Sequence, residues 1–195
     1  MAGHHLVLGE LTDIITGEKI EDSHDERYRQ KIAGILLTEK GYSKDDIKPS
    51  VKLVVKAGEL SALVKMDFVI TLSGKISMVI KYSPGSIITR HRCTIAASRL
   101  LAPYQIPVAV VTNGIDADIL EGSSTKVISK DLGTMPDKAE LAKITAKAVF
   151  KTITPKQIEM EARILYAFEI DGRCPCDDSV FILTQNPKTK TQNRV

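Results

Sequence analysis

The chain is 195 residues long, 43% apolar and 26% charged, with a net charge of +3. That balance belongs to a soluble globular protein with one real core, and an aliphatic one, because aromatics make up 5% and tryptophan is absent. No stretch approaches the ~18 apolar residues that cross a bilayer, which excludes a spanning helix. The small positive excess permits a nucleic-acid partner without arguing for one.

In chain order, residues 6–20 alternate apolar and polar around Gly9 and Gly17 and predict a short hairpin. A helix follows, capped at Asp22 or Ser23, with Asp25 and Glu26 in its first turn and an apolar stripe of Tyr28, Ile32, Ile35 and Leu36 ending at Gly41. Three strands are predicted at about 50–56, 62–72 and 75–82, the last two joined by the tight link Ser73-Gly74-Lys75 and so antiparallel. Pro84-Gly85-Ser86 opens a second helix, about 86–102, and "IPVAVVTNG" at 106–114 is a strand covered on both faces. A further short strand falls at 116–120. A helix between two apolar strands is a crossover, so one parallel pair lies inside a mixed central sheet: an α/β class, with the sheet flanked by helices.

Beyond Gly133 two amphipathic helices begin at Pro-containing caps, placed to pack on the core or on a second copy of the chain. The expected organisation is an α/β domain over 1–133, a C-terminal helical extension over 134–183 and a flexible tail over 184–195. Cysteine is odd in number (Cys93, Cys174 and Cys176), and the N-terminus lacks a basic region followed by an apolar run; both lead to the expectation of a reducing cytoplasm. Cys174 and Cys176 read as a Cys-Pro-Cys turn with free or reversibly paired thiols, and His4-His5 as a mobile terminus. No G-x-S-x-G, G-x-G-x-x-G or P-loop occurs.

The stretch "DIITGEKIEDSHDERYRQKIAGILLTEKGY", with its "TGE" turn and "ERxRQxI" helix, resembles the start of the N-terminal domain of type I restriction enzyme R subunits and their stand-alone relatives. "MDFVIT", "KISMVIKYSP" and "VAVVTNG" continue the likeness, which runs over about residues 10–120. The resemblance implies a restriction-endonuclease-like fold of the PD-(D/E)xK class, and metal-assisted hydrolysis of phosphodiesters. In that chemistry an Asp and a Glu hold Mg²⁺, and a Lys two residues beyond the Glu, on the same side of the strand, assists the attacking water.

On this pattern Asp67 takes the place of the family Asp, as catalytic residue and metal ligand; the residues alone also allow a carboxylate paired with Lys65 or Lys81. The Glu-x-Lys does not match. Anchored on Pro84 it falls on Ile80 and Tyr82; slipped by one it falls on Val79 and Lys81, which keeps Lys81 as the catalytic lysine. These registers put Lys81 on opposite faces. Glu26 is a candidate second metal ligand, or else a partner of the helix dipole, of Arg29 or of Gln30. Arg90, His91 and Arg92, just past a helix start, suggest a phosphate site, so that DNA would be held by Arg90, Arg92 and Lys81.

The expected function is a nucleic-acid-associated domain with an incomplete catalytic site and DNA as partner. Two alternatives stay open: an active Mg²⁺-dependent endonuclease using Asp67, Lys81 and Glu26, and a protein-interaction module that dimerises through its C-terminal helices.

Overall fold

A computed structural model describes residues 7–171 and 180–183. A two-stranded ribbon, β1 (Gly9–Thr12) and β2 (Lys19–Asp22), leads into helix α1 (His24–Thr38). Ser23 caps α1 by accepting the Glu26 N–H, and Gly41, at φ 69°, turns the chain away beyond its end. Then come β3 (Ile47–Ala57), β4 (Leu60–Leu72), β5 (Lys75–Tyr82), α2 (His91–Leu101), β6 (Val108–Thr112), β7 (Ala117–Glu121), β8 (Val127–Lys130), α3 (Lys138–Lys147), α4 (Pro155–Leu165), a π-helical turn at Tyr166–Asp171 and β9 (Val180–Ile182).

The sheet runs β3-β4-β5-β6-β7-β8, with β9 added beside β4. Ser73 and Gly74, both at positive φ, close the antiparallel β4–β5 hairpin as a two-residue turn. β5 and β6 are parallel across the α2 crossover, and the other neighbours are antiparallel. The mixed α/β sheet flanked by helices is the one expected. Helix α2 starts later than its sequence pattern implied: Gly85 at φ 86° and a 3₁₀ turn at Ile88–Arg90 delay it to His91. Strands β8 and β9 have no counterpart in the sequence reading.

Two cores lie on the two sides of the sheet. One packs α2 and α4 against Val64, Met66, Val79, Ala109, Val111 and Leu120, and includes Ala162, Leu165 and Tyr166 from the C-terminal segment. The other packs α1 and α3 against Phe68, Ile70, Met78, Ile80, Val110 and Ile119. β6 feeds alternate residues into each core, which explains its continuous apolar run. Each Leu or Ile fully buried here contributes about 2 kcal/mol.

β3 and β4 change face midway. Met66 belongs to one core and Phe68 to the other, although both have the same parity along β4. Across the pair, Leu53 and Ile47 show the same exchange on β3, beside Ser50 at φ 54°. The ribbon therefore turns over at Ser50 and Asp67, where the β3–β4 pairing is interrupted between Pro49↔Phe68 and Val51↔Met66.

Candidate functional site

The strands β4 and β5 part next to Asp67. Their ladder runs from Leu72↔Lys75 to Phe68↔Ile80 and stops, while β5 continues beside β6 to Tyr82↔Thr112. The edge of β4 that β5 vacates is taken further along by β9, at Ala62–Val64. A fork opens between the two strands, and it holds the sequence-predicted residues.

Two side chains cross this fork in opposite directions. The Tyr82 N–H, left without a strand partner, donates to Asp67 Oδ2 at 2.7 Å. The Lys81 ammonium donates to the Lys65 carbonyl of β4 at 2.9 Å. Each strand lends a side chain to a backbone group of the other, which satisfies buried backbone where the ladder ends.

Asp67 is bound from the α1 side. Arg29 Nε donates to its Oδ1 at 2.7 Å, and the Arg29 guanidinium lies 5.3 Å from the centre of the Tyr82 ring. Glu26 accepts from Arg29 at 3.3 Å and from Gln30 at 3.0 Å, the pairing its helical position allowed. Gln30 also donates to Asp13 and accepts the Ile14 N–H, tying α1 to the β1–β2 turn. The "ERxRQ" segment is thus a clamp joining the turn, α1 and β4. Tyr82 stacks on Tyr28 and donates its hydroxyl to Asp25 at 2.9 Å; burial, then the Asp25 carboxylate, hold its phenol well above the ordinary value. The β5 side chains turned toward α1 are those of Ile80 and Tyr82.

Lys81 points to the other side, into the α2–α4 layer. It is 5% exposed and lies among Val64, Met66, Cys93, Thr94, Ala97 and Leu165, with no space left for a water molecule. Its counter-charge is Glu169, 3.7 Å away and as deeply buried, which arrives from the π-helical turn after α4. Arg90 also reaches Glu169, at 3.3 Å. Burial, reinforced by the Glu169 charge, pushes the Cys93 thiol up to about 12, so it is no nucleophile.

The structure brings Asp67 and Glu26 together through Arg29, and sets Lys81 apart from both. Arg90, His91 and Arg92 each meet an acid: Glu169, Asp118 at 2.7 Å, and Glu161 at 2.6 Å. The Arg92–Glu161 approach is a contact of charges rather than an aligned hydrogen bond. Glu161 also takes Arg99 at 2.5 Å.

Mg²⁺ does not fit this arrangement as it stands. Both oxygens of Asp67 and both of Glu26 accept from protein donors, and no group of three acid, His or Cys side chains suited to a metal occurs among the described residues. Cys174, Cys176, His4 and His5 lie outside the described residues.

The sequence named Arg29 only as a partner of Glu26 and Tyr82 only as a motif position, not as the groups that hold Asp67, and it missed Glu161 and Glu169. Arg29 could have been given that role, as the arginine at the centre of the "ERxRQ" motif. Glu169 carried a weaker signal: a lysine in an apolar strand needs a counter-charge, but nothing local says that it comes from the far end of the chain. No helix among the described residues is long and apolar enough to cross a membrane.

A mixed sheet with one parallel crossover, helices on both faces and a fork beside an Asp-bearing strand defines an α/β protein of nuclease-like architecture. The family model of the type I restriction enzyme R protein N terminus matches residues 24–136, more than half of the chain, and the chain belongs to that family. The match runs from the start of α1 to just before α3, confirming the resemblance seen in the sequence. No curated protein matches the chain, and no solved structure does.

Proposed function

We propose that this protein is a nucleic-acid-associated domain of the restriction R-subunit type in which the cleavage site is not assembled. One observation carries the reading: Asp67 and Lys81, the two residues a PD-(D/E)xK site would keep, each bridge the fork to a backbone group of the opposite strand. On the α1 side, where Asp67 is held, the Glu and Lys positions are Ile80 and Tyr82, which offer neither a carboxylate nor an ammonium. On the other side Glu169 neutralises Lys81 in a space closed to water.

Incubation with supercoiled plasmid and Mg²⁺ or Mn²⁺ tests the first half. The expected result is no nicking above a protein-free control. Metal-dependent cleavage that disappears in folded Asp67→Asn or Lys81→Met would overturn it and restore the active nuclease. Anisotropy of a labelled duplex tests the second half, with binding at low salt expected to weaken steeply as salt rises. A second reading, homodimerisation through the C-terminal helices, is supported by Met160 and Phe168, each about half exposed on either side of half-buried Ile164. Light scattering on the eluting protein distinguishes dimer from monomer.

A further inference from the structure

The cations expected to hold DNA are paired with acids, so the surface that meets a polyanion has to lie elsewhere. Beyond Ser50 and Asp67, one face of the β3–β4 ribbon packs on the α2–α4 core through Leu53, Val55, Ala62, Val64 and Met66. The opposite face presents Lys52, Val54 and Lys56 from β3, all exposed, and Ser61, Leu63 and Lys65 from β4, half-buried. Lys52 stands directly opposite Lys65, Val54 opposite Leu63 and Lys56 opposite Ser61. Among the described residues neither strand carries an acid over 51–57 or 61–66, and none of the three lysines has an ion pair.

Like charges directly opposite in a sheet are destabilising. Lysines on an edge strand do guard against edge-to-edge pairing, and that accounts for Lys52 and Lys56. It does not account for Lys65, which pairs with β3 on one edge of β4 and on the other, in the fork, has its carbonyl already taken by the Lys81 ammonium. A concentrated anion facing the ribbon turns the Lys52–Lys65 repulsion into an attraction.

We infer that the outer face of the β3–β4 ribbon is a docking surface for duplex nucleic acid, held through its phosphates by Lys52, Lys56 and Lys65. The inference rests on the nucleic-acid reading above and names the surface that carries it. Lys52 and Lys56 are about 13 Å apart along the strand at ~3.3 Å per residue. A duplex carries one charge per ~1.7 Å of axis, so each lysine finds a phosphate. The three lysines act as point charges toward phosphate oxygens, a contact that carries no sequence information of its own.

The test is anisotropy of a fluorescein-labelled duplex titrated with the full chain between 50 and 200 mM NaCl. The wild type is compared with the triple variant Lys52→Thr/Lys56→Thr/Lys65→Thr, and with a charge-matched control, Lys126→Thr/Lys130→Thr/Lys143→Thr, taken from exposed positions on and near β8 and on α3. Loss of three phosphate contacts lowers the log–log salt slope by about 2.7, so that over this range the wild type loses about 40-fold more affinity than the ribbon variant. The control is expected to keep the wild-type slope. Thermal melting gives an independent readout: the ribbon variant should be as stable as the wild type or more so, because a like-charge rung has gone. Wild-type binding with a ribbon variant indistinguishable from the control overturns the ribbon and leaves the nucleic-acid reading standing. No wild-type binding at 50 mM overturns both.

Discussion

Removing the Glu169 charge, by Glu169→Gln, tests whether the C-terminal segment neutralises the buried lysine. Glu169 lies 3.7 Å from Lys81 and 3.3 Å from Arg90, with its side chain and that of Lys81 each 6% exposed and that of Arg90 36% exposed. At an effective dielectric of ~20 the Lys81–Glu169 attraction is about 4 kcal/mol before desolvation is subtracted. The Arg90 half is open to solvent and adds about 0.5 kcal/mol. Losing one partner of a buried pair costs about 3–5 kcal/mol, because the survivor is left charged in a dry site. The Lys65 carbonyl still accepts from Lys81, so the lower end applies: about 3 kcal/mol. With a urea m-value of ~2 kcal/mol/M, the midpoint falls by about 1.5 M. Far-UV circular dichroism is the readout, since the chain has no tryptophan. Lys81→Met combined with Glu169→Leu should recover a large part of the loss, with a coupling of about 2 kcal/mol in the double-mutant cycle. A Glu169→Gln effect below about 1 kcal/mol, or strict additivity in the cycle, would refute the reasoning.

Three further outcomes are expected. In a Cys174→Ser/Cys176→Ser background, Cys93 should resist thiol reagents at pH 8 in the native state and react fully in urea. Its thiol is raised from 9.0 to about 12 on folding, so the folded state keeps a proton that the unfolded state releases; stability relative to Cys93→Ala is full below pH 9 and falls by about 1.4 kcal/mol per pH unit between pH 9 and about 12. Gly114→Ala should cost about 3 kcal/mol in a chemical melt, since Gly114 sits at φ 85° and a methyl group there would strike both the ring and the Cβ of Tyr28; adding Tyr28→Ala should relieve only the ring's share of the clash and none of the ~1–2 kcal/mol of backbone strain. Tyr82→Phe, which removes the hydroxyl that donates to Asp25, should cost about 1.5 kcal/mol and leave the circular dichroism spectrum unchanged.

Much of the fold was legible because it is local. The cap at Ser23, the apolar stripe of α1 and the Ser73-Gly74 turn each state their geometry within a few residues. The "VVTNG" strand end is equally self-contained: Thr112 and Asn113 accept the N–H groups of Gly114, Ile115 and Asp116, and Lys31 of α1 donates to the Gly114 carbonyl. The candidate site was legible in its members but not in their partners. Asp67 was singled out as an acid in an apolar strand, yet what binds it comes from α1 and from a backbone N–H across the fork. The register left open around Lys81 depended on which side of the sheet Asp67 is held, and the ribbon turns over at that same point. Strict alternation along β4 could not reveal it, because Met66 and Phe68 share a parity and not a face.

The family match ends at residue 136, whereas the α2–α4 core is completed by Ala162, Leu165 and Tyr166, and the buried ends of Lys81 and Arg99 meet their counter-charges only at Glu169 and Glu161. The portion of the chain that kinship makes recognisable is therefore smaller than the portion that packs into this core. A fragment trimmed to the ancestral boundary would carry an apolar wound along α2 and two stranded cations beneath it. In this molecule, kinship and packing draw their borders in different places.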